Sequence, residues 1–88
     1  MKIKKSITMR NIAGTNIIVS TTENKANYKN MFSLNETGAL LWKSLEQGAE
    51  REELLQVLKN EYEVDDDTVI DDVNEFLNKL RSMDALEE

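Results

Sequence analysis

Hydrophobic positions change their period partway along the chain. Up to residue 34 they fall in short, largely β-branched runs, and beyond it they recur at helical spacing. Ile7-Thr8-Met9-Arg10-Asn11-Ile12 alternates in part at period two. Ile17-Ile18-Val19-Ser20-Thr21-Thr22 is β-branched apart from Ser20, and Ala13-Gly14-Thr15-Asn16 between the two runs is turn chemistry. Such a pattern predicts a β-hairpin with a Gly-containing loop. Glu23 to Asn27 is polar and reads as a loop. Tyr28-Lys29-Asn30-Met31-Phe32-Ser33 reads as a short third strand at the sheet edge, just before the first helix.

Three helices are predicted next. The first starts near Asn35, a natural N-cap, with Ser33-x-x-Glu36 as an alternative capping box. Gly38, Leu41, Trp42 and Leu45 share one of its faces, and Gly48 ends it as the C′ residue. The second runs from about Arg51 to Tyr62, with Leu54, Leu55, Leu58 and Tyr62 at helical spacing. The third runs from about Asp66 to Arg81, opening on Asp65-Asp66-Asp67 and closing on Lys79 and Arg81, the favourable sense for the helix dipole. Val69, Val73, Phe76 and Leu80 form its stripe, with Ile70 and Leu77 beside them, wider than one contact surface needs. Ala85 and Leu86 are expected to fold back on the core. The fold class is therefore α+β: a three-stranded antiparallel sheet followed by three helices, winged-helix-like with the wing at the front. Residues 1–88 read as one domain.

Gly38 is the position that propensity does not explain. Gly inside a helix costs about 1 kcal/mol against Ala. Its use is close approach, and the expected neighbour is the sheet or the third helix. A helix seated that deeply leaves the third strand beside the third helix, and a strand edge alongside a helix forms a groove.

Composition narrows the chemistry. The chain has no Cys and no His, which removes the thiolate nucleophile, the usual general base and the commonest zinc ligands. No catalytic residue, metal site or cofactor is expected, and the chain is read as a non-enzyme. Asp65-Asp66-Asp67-Thr68-Val69-Ile70 fails as a calcium loop, because Val69 and Ile70 occupy its fifth and sixth positions. The net charge of -6 is divided: residues 1–34 carry six Lys/Arg against one Glu, and residues 35–88 carry five against sixteen Asp/Glu. A winged-helix shape invites a DNA reading, with the third helix as the recognition helix. That helix holds six acids and two bases between residues 65 and 81, so phosphates would be repelled and no nucleic-acid partner is expected. No apolar run approaches membrane-span length, and the basic Met1 to Lys5 start is not followed by the apolar core of a signal peptide. No membrane partner is expected, and the chain is read as cytoplasmic.

Four segments resemble one family. They are Met9-Arg10-Asn11-Ile12-Ala13-Gly14 with Ile17-Ile18-Val19; Met31-Phe32-Ser33-Leu34-Asn35-Glu36-Thr37-Gly38-Ala39-Leu40-Leu41-Trp42; Leu54 to Tyr62; and Asp72-Val73-Asn74-Glu75-Phe76-Leu77 with Leu80. In order, and covering nearly the whole chain, they resemble the PqqD-like proteins, whose fold is called the RiPP recognition element, RiPPs being ribosomally made, post-translationally modified peptides. The resemblance extends to the stand-alone members encoded beside radical-SAM peptide-modifying enzymes. Three positions depart from the family pattern: Glu50 for a Thr cap, Asp84 for Gly, and Asn30 for Gly.

The resemblance implies a binding module. Its partners are a precursor peptide, whose leader segment adds to the third strand and lies against the third helix, and a modifying enzyme of the radical-SAM class. The expected peptide-binding residues are Tyr28, Lys29, Asn30, Met31 and Phe32 on the strand edge, with Val69, Asp72, Val73, Phe76 and Lys79 on the wall. The competing readings are a docking or assembly subunit without peptide recognition and, third, winged-helix DNA binding.

Overall fold

The structure, a computed structural model, describes residues 1–22 and 25–88, and the side chains of residues 1–21 and 31–88. The chain runs β1 (Lys2–Ile3), β2 (Ile7–Ile12), β3 (Thr15–Thr22), β4 (Lys25–Leu34), α1 (Glu36–Glu46), α2 (Arg51–Glu61), α3 (Asp66–Ser82) and β5 (Leu86–Glu87). β2, β3 and β4 form a three-stranded antiparallel sheet in that order, followed by the three helices: the predicted α+β arrangement. β1 and β5 add a second, two-stranded antiparallel sheet that joins the two ends of the chain. Two-residue strands leave no periodic signal, so sequence reading passes over them.

The hairpin turn is tighter than Ala13 to Asn16. Thr15 and Asn16 already belong to β3, paired with Ile12 and Asn11. Only Ala13 and Gly14 turn the chain, with φ of 53° and 84°, the left-handed pair of a type I′ turn. The Asn11 side chain accepts the Gly14 amide and donates to the Asn16 side chain. The predicted loop from Glu23 to Asn27 is also shorter. β4 begins at Lys25, because backbone pairing of Thr22 with Lys25 and Thr21 with Ala26 overrides the polar composition. Glu23 and Asn24 lie outside the described residues.

β4 is irregular in its middle. Ile18 pairs with Phe32 and Ser20 with Asn27, so residues 28–31 stand opposite Val19 alone. Extra residues on one strand break its inward–outward alternation.

The core lies between the sheet and the helices. Ile18, Leu41, Leu45, Leu54, Leu58, Leu77 and Leu80 are all but inaccessible, and Trp42 is packed among them as expected. Asn35 caps α1 by accepting the Gly38 amide at 2.8 Å, and Asp65 caps α3 by accepting that of Thr68 at the same distance. At α2, Glu50 stands in the capping position and its backbone amide is held by the Glu53 side chain. Gly48 ends α1 with φ of 88°. α3 ends with Ala85 N–H on the Leu80 carbonyl and Asp84 N–H on that of Arg81, the paired bonds of a Schellman motif. Asp84 therefore occupies the left-handed position, φ 54°, that usually falls to Gly. Its carboxylate meets Lys4 Nζ at 2.8 Å.

Candidate functional site: a groove between β4 and α3

Two adjoining pockets follow the line where β4 and the start of α1 face α3. The first, about 280 Å³, has Leu34, Gly38, Leu41 and Phe76 as its apolar lining. The cap residue Asn35, Thr37 of α1, Ser33 of β4, and Asp72, Glu75 and Lys79 of α3 complete it. The second, about 300 Å³, is lined by Met31, Phe32, Lys79, Ser82 and Met83. Lys79 belongs to both, which makes the two pockets one groove. Its Nζ lies 3.5 Å from Glu75 Oε1 and 6.0 Å from the centre of the Phe32 ring, at the limit of a cation–π contact.

Local sequence explains the shape. β4 runs straight into the Asn35 cap, so α1 begins directly under the strand. Gly38 lets it sit there: a Cβ on Gly38 would stand 3.0 Å from Leu34 Cδ2, 3.4 Å from Leu34 Cβ and 3.3 Å from Asn35 Oδ1. The close neighbour is thus the last residue of the sheet, the first of the two elements expected. On α3, positions 72, 75, 76 and 79 recur at three- and four-residue spacing and form one face toward the groove, continued by Met83 just past the helix end.

The expected site residues divide. Met31, Phe32, Asp72, Phe76 and Lys79 are brought together in the groove. Met31 is 49% exposed and Phe32 is half-buried, whereas Phe76 is buried at the floor. Tyr28, Lys29 and Asn30 are on β4, opposite Val19, and their side chains lie outside the described residues. Val69 and Val73 are fully buried and line neither pocket. They join the cluster that holds Leu41, Leu54 and Leu58, so they support the wall from behind. The apolar stripe of α3 is wide because it packs the core, and the groove uses its more polar flank. Sequence reading missed Leu34, Thr37, Gly38 and Leu41 as lining, and Glu75, Ser82 and Met83 on the wall. The α3 set was available from its spacing with Asp72 and Lys79, while the α1 set depends on a tertiary approach.

The outer edge of β4 is the groove's other asset. β3 pairs with β4 on one side, and no strand pairs with the other among the described residues. An open edge carries unpaired N–H and C=O groups. Among the described residues, no group of three or more His, Cys, Asp or Glu is placed to hold a metal ion, and no helix is long and apolar enough to cross a membrane.

Solved structures share this fold. A solved structure of TbiB1 in complex with the TbiA(beta) leader peptide is 29% identical, with a TM-score of 0.75 over 99% of this chain and 95% of that one. A lasso peptide synthetase B1, complexed with the leader peptide, is 21% identical, with a TM-score of 0.73 over 98% and 96%. No curated protein matches the chain. The family model described as coenzyme PQQ synthesis protein D (PqqD) matches residues 17–85, from the second strand of the hairpin through the end of α3, and the chain belongs to that family.

Proposed function

We propose that the protein binds the leader segment of a ribosomally made precursor peptide. The leader adds as a strand to β4, lies against α3, and is presented to a modifying enzyme, which the resemblance to stand-alone members makes a radical-SAM enzyme. The observation that carries this reading is the open β4 edge beside a groove with an apolar floor. The edge supplies main-chain hydrogen bonds, and the pockets take alternate side chains of an extended peptide. Support comes also from TbiB1, solved with a leader peptide bound.

One short edge and a small groove set the affinity in the micromolar to high-nanomolar range, on the order of -8 to -10 kcal/mol. The test is titration of the isotope-labelled protein with the leader of the precursor encoded beside its gene. Amide shifts should concentrate in residues 31–34 and on the α3 face from 72 to 83, and alternate β4 amides should gain protection from hydrogen exchange. No shift at hundreds of micromolar leader, with retained binding of the modifying enzyme, would establish the docking-subunit reading instead.

A further inference from the structure

Resting on that reading, we infer that the peptide recognised carries a basic residue followed, two positions on, by an apolar one. Phe32 and Leu34 lie on one face of β4, paired with Ile18 and Asn16, and each borders one of the two pockets. Same-face residues of a strand are about 6.6–6.8 Å apart. A strand added to β4 therefore places its side chains i and i+2 in the two pockets. The sheet is antiparallel throughout, and β4 runs from the second pocket toward the first. A strand continuing that pattern runs from the first pocket to the second.

The two pockets differ in chemistry. The first combines an apolar floor of Leu34, Leu41 and Phe76 with the carboxylates of Asp72 and Glu75. Glu75 is partly satisfied by Lys79, which lines both pockets and sets its ammonium 3.5 Å from Glu75 and 6.0 Å from the centre of the Phe32 ring. Asp72 has no ion-pair partner among the described residues. The Gly38 amide, at the edge of this pocket, is already held by the Asn35 side chain. An apolar floor under an unpaired carboxylate suits Lys or Arg, whose methylene stem packs while its head stays at the rim. In the second pocket, Met31, Phe32 and Met83 dominate, and the cation there is already supplied by Lys79, so an apolar side chain fits and a second cation does not.

The experiment is selection of a displayed library of random twelve-residue peptides on the intact protein and on Asp72→Lys, with Asp72→Asn as the milder variant. The expected consensus on the parent is Lys or Arg, any residue, then an apolar residue. On Asp72→Lys the first position should turn to Asp or Glu while the apolar position stays; on Asp72→Asn the basic preference should weaken. A synthetic peptide of the selected sequence should lose about tenfold in affinity for the parent when its basic residue becomes Glu, and regain it on Asp72→Lys. Selected peptides that are uncharged at that position, reversed in order, or unchanged on Asp72→Lys would overturn the inference and leave peptide binding standing. No enrichment over bare support would overturn both.

Discussion

Gly38 carries more of this architecture than its size suggests. Replacing it with Ala gains helix propensity, about 1 kcal/mol at most. The new methyl, however, meets Leu34 Cδ2 at 3.0 Å and the Asn35 cap oxygen at 3.3 Å. Leu34 is buried at the junction of β4 and α1, and its free direction is the first pocket. Overpacking of this kind costs about 1–3 kcal/mol. Gly38→Ala is therefore expected to lower the melting temperature by several degrees, about 4–8 °C for each net kcal/mol lost. Because Leu34 is pushed into the groove, leader affinity should fall as well. Thermal melting and leader titration of the same variant check both, and a higher melting temperature would show that the close approach is not what keeps Gly there.

At the scale of elements, α3 joins stability to pH through its cap. Hydrogen bonding from Thr68, side chain first and backbone amide second, holds the Asp65 carboxyl below its ordinary pKa. A depressed folded-state pKa contributes stability above the unfolded value of about 3.9, and that contribution is lost as pH falls through the folded value. Asn at position 65 keeps the acceptor and cannot titrate. The parent should thus be more stable than Asp65→Asn at pH 7, and the gap should close below about pH 4. Denaturant melts at neutral and acid pH test this; a gap independent of pH would refute it. The helices were legible in the sequence because each start carries its own chemistry: Asn35 and Asp65 cap, and the leucines and valines keep the period. β4 was legible only from Tyr28 onward, since Lys25, Ala26 and Asn27 carry no strand pattern and join the sheet through backbone pairing that no side-chain period records. The groove was half legible for a similar reason. Asp72, Phe76 and Lys79 follow from one helix face, but whether Val69 and Val73 face the peptide or the core depends on how α3 is rolled against α1 and α2.

Across the whole molecule, the ends are tied into the fold. Lys2 pairs with Glu87 and Ile3 with Leu86; Met1 accepts the Ala49 amide, and Arg81 holds Glu88 at 2.8 Å. Leu86 is buried in the same cluster as Trp42, the single Trp of the chain. Truncating it should cost about 2–5 kcal/mol, as for other buried leucines. Leu86→Ala is expected to lower the melting temperature by more than about 8 °C. Trp42 fluorescence and far-ultraviolet circular dichroism should still report one coincident transition. Separate transitions would mean that the β1–β5 pair unfolds independently of the core. The same pairing brings the two ends to neighbouring strands, about 5 Å apart. A flexible tether to an enzyme would then leave from nearly the same point whichever end carried it, and the effective concentration of the groove at that enzyme would be set by tether length alone.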